Sequence, residues 1–338
     1  VRSKKKARWT LGFVAIIGII AAVIAFQMYQ QGLTALDPED RQEIVVEIPS
    51  NVTAREIGDL LESKKVIRSS SAFASYARGH GGESLKAGEY ALTPSLSVPE
   101  ILNVLIEGKT RLYSVTIPEG YTTRQIIELF TSKGLVDREA FRKALAQTPL
   151  DYDYLKGLPA NENRLEGFLF PATYRIRRET TPEEIVRMLV SRFDQEMTPE
   201  VRARMKALNI GVRDAVILAS LVEREAQKEE DRPVISAVFR NRLNKGMKLE
   251  ACSTIQYLLG QPKAKLYYKD LQIESPYNTY KYQGLPPGPI ANPGKASLQA
   301  ALYPANTDYL YFVAKGDGYH QFSRTYSEHL QAVAKYGN

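Results

Sequence analysis

One cysteine, three histidines and one tryptophan among 338 residues narrow the chemistry open to this chain. The lone Cys252 excludes an intramolecular disulfide. His80, His320 and His329 lie far apart, and none belongs to an HExxH or Cys/His ligand pattern, so no metal site and no cofactor are expected. Ser220 sits in LASLV rather than between the glycines of a hydrolase elbow and is read as a packed helix residue. The stretch GHGG at 79–82 lacks the strand, helix and lysine of a phosphate loop. Basic residues interleaved with aromatics are missing too, so nucleic acid is not an expected partner. What remains is carboxylate chemistry.

Acid is also missing from the first 36 residues, where Arg2, Lys4, Lys5, Lys6 and Arg8 precede an uncharged run from Leu11 to Phe26. Residues 1–9 read as a cytoplasmic tip, 10–30 as a transmembrane helix and 31–42 as a polar linker, with everything beyond on the outer side. A cleaved signal peptide, with Val23 and Ala25 near its processing site, is the competing reading. The net charge is +7, but five of those positives belong to the tip, so the remainder is mildly basic. That suits an anionic wall or membrane surface.

Beyond the linker, VVEIPSNVTAREIGDLLESKKVI from Val45 recurs as SVTIPEGYTTRQIIELFTSKGLV from Ser114. Val46, Ile48, Pro49, Thr53, Arg55, Ile57, Leu60, Ser63 and Lys64 return in register at Val115, Ile117, Pro118, Thr122, Arg124, Ile126, Leu129, Ser132 and Lys133. Each copy predicts a strand, a proline turn, a capping threonine and an amphipathic helix. A further strand near Glu89–Leu92 and a helix from Pro99 to Glu107 complete an α+β module whose helices cover one sheet face. Helices are then expected over 182–206, 212–227 and 232–243. From Met247 the chain is turn-rich and holds twelve of the twenty tyrosines, whose faces stack on sugar rings.

The segment Asp214–Ala226, DAVILASLVEREA, carries the strongest signal. At helical spacing Ile217, Leu218, Leu221 and Val222 form one stripe, and Glu225 continues it. Burial disfavours an ionised carboxyl, the property a general acid near neutral pH needs. Glu223 falls on roughly the opposite side.

The order of motifs also resembles a known family. After the anchor come the IPEG-type βα unit, LKAGEYAL, LEGFLFPATY, LASLVEREA, VFRNRLNKGMKLEACSTIQYLLG, SPYNTYKYQGLPPGPIANPG and YLYFVAKGDGYHQFS. In this order they are similar to the endolytic murein transglycosylases, the YceG-like family. The resemblance implies a LysM-like subdomain over 43–112 and a mixed α/β catalytic domain over 113–338. It implies cleavage inside nascent peptidoglycan glycan strands, in concert with cell-wall synthases (penicillin-binding proteins), by a single-pass protein of the inner membrane. The second glutamate of the family's VEKE-type motif, its catalytic one, corresponds to Glu225. The chain departs from the family at Ala172 and Cys252, where aspartate is frequent, so neither position is given a catalytic role.

Glycosidases usually employ two carboxylates, whereas a transglycosylase of this kind manages with one because the substrate supplies its own nucleophile. By resemblance and chemistry, Tyr277, Asn278 and Tyr280 are candidates to orient the sugar. Asn241 and Gln256 can bond N-acetyl or hydroxyl groups, or equally bridge backbone. Glu223 tunes the site or holds Arg224 and its neighbours in place. Three rivals stand beside this reading: a lysozyme-type hydrolase with Asp231 or Glu250 as second acid, a non-catalytic wall-binding scaffold, and a secretion or adhesion protein, which explains the anchor but not the collinear motifs.

Overall fold

Threonine and proline decide where many of the helices begin. The computed structural model describes residues 2–261, 263 and 265–337, with side chains from Phe13 onward. The side chains of the basic tip, which set the expected orientation, lie outside the described residues. The chain divides into two compact units: Val1–Tyr113 with Arg177–Glu179, and Ser114–Ile176 with Thr180–Asn338.

The first unit opens with α1 (Arg2–Leu33). Its segment Phe13–Leu33 is 21 residues long with mean hydropathy 2.0, and it is long and apolar enough to cross a membrane. The helix continues three residues past the expected end, through Gly32 to Leu33. There follow β1 (Ile44–Ile48), α2 (Ala54–Ser63), α3 (Ser70–Gly79), β2 (Gly88–Leu92) and α4 (Val98–Glu107). β1 and β2 pair antiparallel with Val46 opposite Tyr90. Val46, Ile57, Leu61, Phe73, Tyr90, Ile101 and Leu105 form the buried core. Burial pushes the Tyr90 hydroxyl up to about 12, and it donates to Lys86 O at 2.8 Å.

β3 (Leu112–Thr116) and β4 (Thr173–Arg177) form a second two-stranded sheet, and the chain passes from one unit to the other along both strands. The second unit continues with α5 (Thr123–Ser132), α6 (Arg138–Gln147), α7 (Pro182–Glu196), α8 (Pro199–Ala207), α9 (Val212–Glu225), α10 (Arg232–Asn244), α11 (Cys252–Leu259) and α12 (Lys295–Leu302). The antiparallel hairpin β5 (Tyr311–Ala314) and β6 (His320–Ser323) precedes α13 (Tyr326–Tyr336).

Both repeat copies are strand–turn–helix units with matching caps. Thr53 and Glu56 form a capping box on α2, and Thr122 and Gln125 form one on α5. The copies do not share a sheet as expected, because each strand finds its own partner, β2 for β1 and β4 for β3. The mixture of helix and strand agrees with an α+β class.

Two expected helix boundaries change. The helix read over 182–206 is two helices, since Thr198 caps α8 and Pro199 occupies its first turn. Among the described residues the turn-rich segment after Met247 also carries three α-helices, a short 3-10 helix and a hairpin. Helix α9 departs from the amphipathic picture. Every residue from Ala215 to Val222 is buried, because α10, α11 and α12 pack around it. Glu225 therefore stands out by lying at the end of a buried helix rather than on a distinct face.

Candidate active site

Three carboxylates of the second unit each reach the N-terminus of a different helix, where unpaired backbone N–H groups attract negative charge. Glu225, the last residue of α9, accepts the Ser253 N–H of α11 on Oε1 at 3.1 Å and is half-buried. Glu223 Oε2 accepts the N–H of Gly294, the N-cap of α12, at 3.0 Å. Glu166 accepts the Thr123 N–H of α5 on both oxygens, at 3.0 and 3.2 Å.

Glu225, at the very end of α9, is partly exposed. Beside it, Cys252 opens α11 and its Sγ lies 3.0 Å from the Tyr280 hydroxyl. Desolvation raises the thiol pKa, and the neighbouring Glu225 charge adds to the rise. The Tyr280 hydroxyl is pushed up by burial and then by Cys252, and it also feels the charge of Glu225. Tyr280 thus stands as a neutral donor beside the candidate acid.

Glu223 is 6% exposed at its side chain and lies 3.4 Å from Arg232. Arg232 in turn donates to Ser297 Oγ at 2.7 Å. Glu119, close by, has its pKa raised by burial and by the Glu223 charge. Glu223 therefore joins the end of α9 to the starts of α10 and α12.

The remaining candidates are placed as follows. Tyr277 packs its ring 5.3 Å from that of Tyr257 and helps line a cavity of about 490 Å³ together with Pro287, Pro289 and Phe168. Asn278 is corrected from a sugar contact to a loop brace. It is 0% exposed, its Nδ2 donates to Leu271 O and Ile273 O, and its Oδ1 accepts from Tyr280 N. Asn241 spends its Nδ2 on Thr307 O and Tyr309 O, fastening the loop before β5. Gln256 is committed at both ends of its amide to the backbone of Lys263, although it lines a second cleft of about 200 Å³. These amides brace backbone because polar groups taken from water need partners.

The rival second acids are engaged elsewhere. Asp231 Oδ2 accepts from His320 N at 2.7 Å and lies 2.9 Å from its Nδ1. Glu250 pairs with Arg242 at 3.0 Å. Among the described residues, no group of three or more His, Cys, Asp or Glu is arranged to hold a metal ion.

Two residues escaped the sequence reading. Glu166, 4% exposed, is pushed up to about 7 by desolvation, against hydrogen bonds from Thr123 and Tyr257 that favour its charged form. It lies on the wall shared by the two cavities. Asn292, also buried, accepts from Leu169 N at 2.8 Å and donates to Tyr121 O at 2.9 Å and to Glu166 Oε1 at 3.1 Å. The available signal was a glutamate set among apolar residues in LEGFLF, followed by a glycine. Gly167 has φ +86°, and a Cβ there would stand 2.5 Å from Pro289 Cγ, so the backbone must be bare for the two loops to meet.

Against known proteins, the profile of the YceG-like family matches residues 46–335. An endolytic murein transglycosylase of Bacillus subtilis (strain 168) is 33% identical, with 92% of this chain and 90% of the relative covered. Another of that name, from Streptococcus pneumoniae (strain D39), is 31% identical over 98% of this chain, which spans 65% of that longer relative. A crystal structure at 2.6 Å of a yceG-like protein from Listeria monocytogenes superposes with a TM-score of 0.58 at 36% identity, covering 86% of this chain and 98% of the other. With the family profile running from the first repeat strand to the last helix, the chain belongs to the YceG-like family.

Proposed function

We propose that this chain is a peptidoglycan lytic transglycosylase that cuts the β-1,4 bond between MurNAc and GlcNAc within glycan strands. The observation that carries the reading is the position of Glu225, half-buried at the end of α9 and held by the Ser253 N–H at 3.1 Å, while Asp231 and Glu250 are bound to other partners. The relatives named endolytic murein transglycosylases support bringing that activity to this chain.

The reaction needs one group that first gives and then takes a proton. Glu225 protonates the glycosidic oxygen, and the bond from MurNAc C1 to that oxygen breaks, leaving GlcNAc with a free 4-hydroxyl. The C6 hydroxyl oxygen of the same MurNAc then bonds to C1, and its proton passes to the Glu225 carboxylate. The product end is 1,6-anhydroMurNAc, the acid is regenerated, and no water is consumed. Tyr280, a protonated hydroxyl beside Glu225, supplies a hydrogen bond to the sugar as charge develops. Tyr277 offers its ring face to a neighbouring sugar.

The helix Phe13–Leu33 anchors the protein in the plasma (inner) membrane with the N-terminus in the cytoplasm, which keeps the active end near strands still being made. Residues 43–112 act as the LysM-like, glycan-docking part, and the cell-wall synthases are the partners that present the strand. The test is digestion of peptidoglycan by the full-length chain, with and without Glu225→Gln, followed by mass spectrometry of the ends. Internal fragments ending in 1,6-anhydroMurNAc and absent from the variant digest support the reading. Reducing ends turn it into a hydrolase, and no cleavage by folded protein makes it a scaffold.

A further inference from the structure

The cleft of about 200 Å³ begins one residue from the candidate acid, since Ser253, whose N–H holds Glu225, is part of its lining. Two arginines stand on it. Arg124 lies in the first turn of α5, and Arg224 precedes Glu225 at the end of α9. Both are exposed, and among the described residues neither belongs to an ion pair. Arg224 donates from Nη1 to Gly120 O at 3.3 Å, and Arg124 lays its guanidinium against the bare backbone of Gly260.

The single carboxylate in the cleft lining among the described residues, Glu166, faces inward, bonded to Thr123 and Asn292, and burial favours its neutral form. Ionised or not, it is one carboxylate against two cations. The cleft is therefore positive and partly enclosed, and Arg224 and Ser253 on its lining adjoin Glu225. A guanidinium offers a planar fork of donors that matches a carboxylate, and clefts lined by one sign of charge concentrate the opposite sign.

On a peptidoglycan strand the sugar rings carry hydroxyls and neutral amides. The carboxylates belong to the peptide attached through the lactyl ether of MurNAc. We propose that this cleft is a subsite for that stem peptide, with Arg124 and Arg224 gripping its carboxylates, so that the chain reads peptide-bearing MurNAc beside the scissile bond. The inference rests on the peptidoglycan reading above and adds the feature of the strand that is selected.

Binding separates it from catalysis. Full-length chain in detergent micelles, carrying Glu225→Gln so that strands stay intact, is titrated with labelled glycan strands of equal length, either peptide-bearing or stripped by an amidase and then capped as neutral amides at the lactyl carboxylates that the stripping exposes. Peptide-bearing strands are expected to bind about tenfold tighter, as for one or two charge-assisted contacts. Arg124→Gln and Arg224→Gln each reduce that ratio several-fold, the lysine variants retain part of it, and added salt narrows it. Circular dichroism melts establish that the variants are folded. Equal binding of both strands, or an undiminished ratio in the Arg124→Gln, Arg224→Gln double variant, overturns the subsite. Cleavage by chain with Glu225 intact is scored separately. Preferential binding without cleavage upholds the subsite and removes the enzyme, cleavage without preference does the reverse, and no binding of either strand removes both.

Discussion

Ser253 gives its backbone N–H to Glu225 Oε1 at 3.1 Å, tying the end of α9 to the start of α11. The Ser253 hydroxyl, by contrast, is buried without a partner. The two halves of this residue can therefore be separated by mutation. Ser253→Ala keeps the N–H and removes an unsatisfied group, so cleavage and thermal midpoint should be retained, the midpoint rising slightly if anything. Ser253→Pro is tolerated by the first turn of a helix but lacks the N–H. Its cleavage rate should fall by about tenfold, the scale of one hydrogen bond, as the carboxyl loses the contact that positions it.

Glu166 makes stability depend on pH in an unusual direction. Its folded pKa, pushed up to about 7, lies above the unfolded carboxylate value. Below the unfolded pKa both states are protonated and the native carboxyl suffers no desolvation penalty. As pH rises to about 7 the unfolded state releases the proton first, so stability is lost across roughly pH 4.5–7, by about 3 kcal/mol. Glu166→Gln removes that dependence. Thermal melts at pH 5 and pH 8 should show the variant gaining on the wild type at the higher pH, and a constant gap would contradict the assignment.

Asp231 separates a structural acid from a catalytic one. Its Oδ2 holds both the backbone N–H and the ring of His320, joining the start of α10 to β6. Asp231→Ala leaves a buried backbone N–H unpaired, a cost of about 1–3 kcal/mol. Urea denaturation of the full chain should register that loss, while protein that remains folded keeps its cleavage activity. Abolished cleavage in a fully folded variant would restore Asp231 as the second acid of a hydrolase.

Gly260 ends α11 with φ +73°, and Arg124 Nη1 crowds the place a Cβ would take. Gly260→Ala meets both the left-handed backbone penalty, roughly 1–2 kcal/mol, and the guanidinium. The melting temperature should drop by a few degrees. Affinity for peptide-bearing strands should drop with it if Arg124 grips them.

What could be read from the sequence was local. The repeat, its two threonine caps and the helix carrying Glu225 depend on residues within a few positions of one another. Pro199 was a local signal too, and a proline after a capping threonine marks a new helix. The all-round burial of α9 was not legible, because it comes from α12, some seventy residues later. Glu166 and Asn292 were hidden for the same reason, their partners lying 43 to 171 positions away. Asn278 has its partners within seven residues, and its bracing role was open to a closer reading of loop chemistry.

Asn292 joins Tyr121, Glu166 and Leu169 through side-chain bonds, and its backbone pairs with Gly120 and Tyr121 besides. A chain made from its N-terminus cannot close these bonds until residue 292 has been synthesised. Contacts of such long sequence separation form late. The wall between the two cavities therefore acts as a completion check: a partially translated chain lacks it, and the two cavities take shape only when nearly all of these residues are in place.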